Sequence, residues 1–279
     1  MRGSTITLDD YPLEQALDLF RAAGFDSLEM WKHHLKRAKT PELLARFAAS
    51  ARASGISMAG LNAVGEPYFQ PFGTAREFEE TIAGVKADTE ITLALGSRDV
   101  LLWEGRAPQG TSEAEWVNRF LPRLIELFQE LLRFGRPLGV RYLVEPHPFT
   151  VGMSDQVLCR LCDALDPAGF GVTFDFCHYG VGRPRDYVDA IRTLGPRIRH
   201  LHFSDSDQKS SELHFPPGQG RMDLPAMLQA LKDIGYDGTI TLDLYGYPMP
   251  VEGLAQSVDR LRAACDFLGI EKGGQSAAA

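Results

Sequence analysis

The sequence predicts an α/β fold, a single parallel (β/α)8 TIM barrel, and three observations support this. Eight short β-like runs alternate with eight longer helical patterns, the order expected of a parallel barrel. The chain has 279 residues, close to the roughly 250 typical of one such barrel. No glycine-rich phosphate loop follows the first run, where Leu8-Asp9-Asp10-Tyr11-Pro12 stands, so the rival doubly wound sheet lacks its signature.

The expected strands are Ser4 to Leu8, Ser27 to Trp31, Ile56 to Leu61, Asp99 to Trp103, Arg141 to Glu145, Gly171 to Asp175, Ile198 to Phe203 and Thr239 to Asp243. Helices are expected near 12–23, 41–54, 74–95, 113–134, 154–165, 185–194, 223–234 and 252–268. In the first helix Leu13, Ala16, Leu17, Phe20 and Ala23 recur at helical spacing, and Gly24 follows as a stop. Asp223 is placed to cap the seventh and Gly235 to end it. One barrel domain is expected over 1–270, with 271–279, ending Ser276-Ala277-Ala278-Ala279, as a frayed tail.

The formal net charge is −8, which argues against nucleic acid as a partner. No apolar run approaches the ~20 residues of a membrane span, and Met1 to Ile6 lacks the apolar core of a signal peptide. The expectation is a cytoplasmic protein. Cys159 and Cys162 form a C-x-x-C, but no second pair follows at zinc spacing, so they read as free thiols on one helix face.

Barrel enzymes place their chemistry at the C-terminal strand ends. Glu145, Asp175 and Asp243 end the fifth, sixth and eighth expected strands, and the seventh carries His200-Leu201-His202. Barrel closure brings these ends around one rim. Three carboxylates and an imidazole suit one divalent cation, with Mn2+ first and Mg2+, Co2+ or Zn2+ as alternatives. Without a cation the carboxylates would repel. Asp205, three residues past His202, is placed to orient it. His200 should lie one layer deeper as a satisfied core histidine. Glu29, Trp103 and Glu104 end the second and fourth strands and are candidates to line the pocket, and Trp31, Trp103, Tyr68, Phe69 and Phe72 suit stacking on a sugar ring or packing in the core or a subunit interface.

In these motifs the chain resembles the sugar-phosphate isomerase/epimerase superfamily, with its xylose isomerase-like barrel (the AP endonuclease family 2 type). The resemblance rests on Leu-Val-Glu-Pro-His at 143–147, Phe-Asp-Phe-Cys-His at 174–178, His-Leu-His-Phe-Ser-Asp-Ser at 200–206, the loop from His214 to Gly220, and Gly-Tyr-Asp-Gly at 235–238. It implies that Glu145, Asp175, His202 and Asp243 are metal ligands and that His178 touches substrate hydroxyls. It also implies that Glu212 and His214 match an Asp-x-His pair of endonuclease IV. The chain departs from the epimerases where Asp243 replaces a longer glutamate, Val151 a second glutamate and Gln208 an arginine. The early strands lack the histidines of a three-metal nuclease.

The function implied is a metal-dependent isomerase or epimerase of a ketose, sugar phosphate or related polyol. It would act through an enediolate, with Glu145 and Asp243 exchanging the proton. His178, His214 and Glu212 would join Trp31, Trp103 and Glu104 around a small polyhydroxylated substrate. The alternatives are a dehydratase of a cyclic keto-polyol, such as an inosose or 3-dehydroshikimate, and a non-catalytic metabolite-binding barrel. A homo-oligomer is left open.

Overall fold

The computed structural model describes residues 1–35, 40–106, 110–148 and 150–270; the expected tail over 271–279 lies outside them. Among the described residues eight strands pair in parallel and close on themselves: Arg2–Ser4 (β1), Ser27–Trp31 (β2), Ser57–Asn62 (β3), Asp99–Leu102 (β4), Arg141–Val144 (β5), Phe170–Asp175 (β6), Ile198–Phe203 (β7) and Thr239–Leu242 (β8). Around them run α1 (Leu13–Ala22), α2 (Pro41–Ala53), α3 (Ala75–Ala94), α4 (Glu113–Glu115), α5 (Leu121–Gly135), α6 (Asp155–Asp163), α7 (Phe176–Gly182), α8 (Tyr187–Leu194), α9 (Leu224–Asp233) and α10 (Pro250–Leu268). Among the described residues no helix is long and apolar enough to cross a membrane.

Local chemistry sets the helix ends. Thr74 and Glu77 form a reciprocal capping box at the start of α3, satisfying two amide groups that the helix itself leaves unbonded. Asp223 caps α9 by accepting from the Ala226 N–H at 3.1 Å. Gly24 and Gly235 follow α1 and α9 with φ of 91° and 68°, a backbone region open chiefly to glycine.

The first strand differs from the sequence expectation. The ladder occupies Arg2–Ser4, and Thr5–Leu8 turns into a 3-10 helix. The alternating Thr-Ile-Thr-Leu looks like a strand, but its hydroxyls serve another purpose. Thr5 Oγ1 accepts the Trp31 N–H at 2.7 Å and Thr7 Oγ1 accepts the Leu244 N–H at 3.0 Å. Side chains therefore tie the end of β1 to its two neighbours, and its backbone can leave the ladder. The helix expected over 113–134 is also interrupted, by a π-helical segment at Trp116–Phe120 just before Pro122. Proline supplies no N–H to a regular turn there.

The strands sort their side chains by the two-residue period. Leu28, Val100, Val144, Val172, Phe174, Leu201 and Leu242 belong to the large core between sheet and helices. The alternate residues face the barrel axis. On one side Leu101 and Leu143 form a small apolar cluster with Val64, which lies just past β3. On the other side Ser4, Glu29, Thr173, His200, His202 and Thr241 are all buried. Half of the barrel interior is therefore polar, where branched apolar residues usually dominate. Two register shifts mark this polar side. One lies between Leu28 and Glu29 against β3, the other between Val172 and Thr173 against β7. Such bulges re-aim side chains next to functional sites.

Helix packing against the sheet is tight. A Cβ on Gly3 would come within 2.5 Å of the Phe20 ring, so α1 sits on β1 only because that position is glycine. Phe128 of α5 is fully buried, its ring centroid 4.7 Å from that of Phe170 in β6. Replacing Phe128 with alanine should cost about 3–5 kcal/mol of unfolding free energy. Equilibrium denaturation measures this directly, and a cost below about 1 kcal/mol would contradict the packing described.

Candidate metal centre

The C-terminal ends of β5 to β8 deliver four polar side chains to one point. Glu145 and Asp243 immediately follow β5 and β8, Asp175 ends β6, and His202 lies within β7. His202 is fully buried and central. Its Nδ1 lies 2.5 Å from Glu145 Oε1, 3.5 Å from Asp243 Oδ2 and 3.6 Å from Asp175 Oδ2. Strand register explains the height match, since Asp175 is the direct partner of His202.

Each carboxylate is anchored through local backbone or a nearby ring. Asp175 Oδ1 accepts the His178 N–H at 2.7 Å and caps α7, a short helix absent from the sequence expectation. Its Oδ2 is buried without a hydrogen-bond partner. Asp243 Oδ1 accepts the Tyr245 N–H at 3.0 Å, so the shorter side chain still reaches the cluster. His214 arrives on the loop after β7, its N–H bonded to the Tyr245 carbonyl at 2.9 Å. Its Nε2 is 3.2 Å from the Ser211 carbonyl, which can only accept. The other nitrogen, Nδ1, then faces Asp243 Oδ1 at 3.4 Å and Asp175 Oδ2 at 3.8 Å.

The electrostatics are those of a cluster short of positive charge. Burial opposes a charge on His202, but Glu145 and Glu29 overcome it and hold the imidazole protonated well above its ordinary range. Burial also opposes ionisation of Asp175, yet His178, His214 and His202 hold its carboxyl well below the usual range. His214 is likewise raised, with Cys177 and Asp175 outweighing burial. His147 is pushed down by burial and by His178. The residues fit a divalent ion on the chemistry of their donors: carboxylate oxygens, imidazole nitrogens, and an unpartnered buried oxygen on Asp175. Glu145, Asp175 and His202 bring their ligand atoms within 4.8 Å of one another, as do Asp175, His178 and His214, and Glu29, His200 and His202.

A cavity of about 280 Å³ opens over this cluster. Glu145 and Asp243 line it, whereas Asp175 and His202 do not. Trp31, Trp103, His178, His214 and Glu212 also line it, together with His147, Asn62, Arg106 and Tyr245. A larger cavity of about 890 Å³ lies at the opposite end, against Arg2, Ser57, Asp99 and Arg141. These residues start their strands, away from the rim where barrel chemistry sits.

Several sequence expectations are relocated. Glu104 is fully buried and outside the cavity lining; its Oε1 accepts the Gly152 N–H at 2.5 Å, so it clamps the loop after β5. A Cβ on Gly152 would lie 2.4 Å from that oxygen, which makes glycine necessary there. Phe69 is buried, Tyr68 bonds Asp88, and Phe72 packs on Trp116 and Phe120; these three serve packing. Asp205 does not orient His202. Its carboxylate accepts from Ser206, Gly218 and Met222 N–H groups and organises the loop after β7. The carboxylate behind His202 is Glu29, from across the barrel, with Oε1 3.1 Å from Nε2. The sequence expectation sets Glu29 at the end of its strand, lining the pocket, but it sits in the middle of β2, buried and outside the cavity lining.

Comparison with known proteins places residues 17–264 on the profile of the family described as "Xylose isomerase-like TIM barrel". Fructoselysine 3-epimerase of Escherichia coli O157:H7 is 26% identical over 268 residues, covering 90% of this chain and 93% of that protein. Inosose dehydratase of Lacticaseibacillus casei is 24% identical over 268 residues, covering 85% and 86%. Protein MJ1311 of Methanocaldococcus jannaschii is 26% identical over 167 residues, and there the match spans 56% of the relative. The crystal structure of a D-tagatose 3-epimerase-like protein superposes with a TM-score of 0.77 at 20% identity, covering 96% of this chain and 97% of that one.

Burial pushes the Glu104 carboxyl up to about 7. The folded protein then holds a proton that the unfolded chain releases near its ordinary pKa, so this group's stabilising effect is lost as pH rises from about 4.5 to 7. Relative to Glu104→Gln, the wild type should lose roughly 3 kcal/mol between pH 4.5 and pH 8. Urea unfolding of both proteins across that range tests this; parallel stability curves would refute it.

Proposed function

We propose that this chain, which belongs to the xylose isomerase-like TIM barrel family, is a divalent-metal-dependent isomerase or epimerase. Its substrate would be a ketose, sugar phosphate or related polyol, and Glu145, Asp175, His202 and Asp243 would hold the cation. One observation carries this reading. Of four side chains converging at one point, two carboxylates face the cavity and two groups lie beneath them. When bound, the cation supplies Lewis acidity toward a substrate carbonyl, which acidifies the adjacent C–H and favours the enediolate.

The remaining work falls to the chain. Glu145 and Asp243 are the two carboxylates of the cluster that face the cavity and can meet a substrate carbon. One removes the proton and the other returns one, and return to the opposite face inverts the centre. His178 and His214 hold hydroxyls. Trp31 and Trp103 present apolar ring faces to the sugar and help exclude water. Support comes from relatives named as epimerases.

A second reading has its own support. His214 is held protonated beside the cavity, which makes it a proton source for a departing hydroxyl. A relative is named inosose dehydratase. The same enediolate would then expel a β-hydroxyl and yield an enone.

Incubation with ketoses in deuterated water should place label on the carbon beside the carbonyl, without new ultraviolet absorbance. An enone band would select the dehydratase, and neither signal with any keto-polyol would reject both. Mn2+ should raise the melting temperature of the wild type and not of His202→Ala. Because a proton on His202 competes with the cation, the Mn2+-induced shift should grow as pH rises from 6 to 8. A shift that is flat with pH, or retained by His202→Ala, would count against this site.

A further inference from the structure

We propose that Glu29 is a positioning residue for this centre, fixing which nitrogen of His202 is offered to a cation. The assignment rests on the metal-centre reading above. Glu29 leaves β2 at the register shift against β3 and enters the polar half of the barrel interior. It is 1% exposed, and its polar neighbours are all able to donate. His200 Nε2 lies 3.0 Å from Oε2, and His202 Nε2 lies 3.1 and 3.3 Å from Oε1 and Oε2. Asn62 Nδ2 is 3.3 Å from Oε1, and Ser4 Oγ is 3.5 Å from it.

The logic is that of donors and acceptors. An ionised carboxylate only accepts. Both Nε2 atoms that meet it must therefore carry hydrogen. His200 Nδ1 is then an acceptor, and the Thr239 hydroxyl at 2.6 Å can turn to donate to it. On a neutral His202 the remaining lone pair is on Nδ1, the atom that faces Glu145, Asp175 and Asp243. The other neutral tautomer, with its hydrogen on Nδ1, would set the Nε2 lone pair against the Glu29 oxygens. Glu29 also raises the donor strength of the ring, as carboxylates hydrogen-bonded to metal-binding histidines do. His200 steadies Glu29 through its second oxygen, which gives this buried histidine a part in the centre without touching a cation.

The test uses the full chain, stripped of metal and titrated with Mn2+ and Co2+. Glu29→Gln keeps the shape but presents an amide N–H to one of the rings. It should bind Mn2+ about 10- to 100-fold more weakly and show an altered Co2+ visible spectrum. Glu29→Asp should recover part of the affinity. Glu29→Gln that binds as the wild type does, with an unchanged Co2+ spectrum, overturns this assignment alone. Wild-type protein that binds neither ion overturns the metal-centre reading and the assignment with it. Should Glu29→Gln fail to fold, 15N spectra of histidine-labelled wild type decide: His200 as the Nε2–H tautomer is the expected result, and an Nδ1–H tautomer overturns the proposal.

Discussion

The site is organised by one constraint: three carboxylates converge on a single buried imidazole. Taking negative charge out of water is costly unless it is paired and hydrogen-bonded, and the surroundings meet that cost from several directions. The His178 N–H in the first turn of α7 donates to one oxygen of Asp175. The backbone after β8 binds Asp243. Protonated His202 and His214 supply positive charge in between. Asp175 Oδ2 still has no hydrogen-bond partner. A cation would answer the electrostatics of the whole rim at once, and the ring proton on His202 is the charge it would replace.

The two halves of the barrel divide the labour. β5 to β8 and their loops provide the converging carboxylates and histidines. β2 and the loop after β4 contribute Trp31, Trp103 and Arg106 to the cavity wall. The same division appears inside the barrel, where an apolar cluster of Val64, Leu101 and Leu143 faces a polar column from Glu29 to His200 and His202. The apolar side fills space; the polar side sets proton positions.

Much of this was readable in the residues. Strand-end positions follow from the two-residue period and the spacing of one β–α unit, so the convergence of Glu145, Asp175, His202 and Asp243 could be expected from order alone. The helix signals at Asp223, Gly24 and Gly235 are local and carried through. What escaped depended on direction rather than position. Thr5 and Thr7 look like strand residues until their hydroxyls are seen to cap neighbouring strands. Asp205 has the right spacing to serve His202, but three backbone N–H groups of its own loop are nearer. Glu104 lies just past β4 and Glu29 in the middle of β2, and nothing in the sequence says that one clamps a loop and the other reaches across the barrel axis. Side-chain direction there is set by register shifts and by a glycine at 152, which are properties of pairs of segments.

The hydrogen bond from His202 to Glu29 joins residues 173 positions apart, and Thr7 meets Leu244 at a separation of 237. Links of such span form only after the intervening chain has paid its loop-closure entropy. A fragment holding β5 to β8 would carry the whole proposed ligand set and still lack the carboxylate that locks the imidazole. Competence of the centre therefore depends on the N-terminal strands closing against the C-terminal half, which no isolated segment of the barrel can supply.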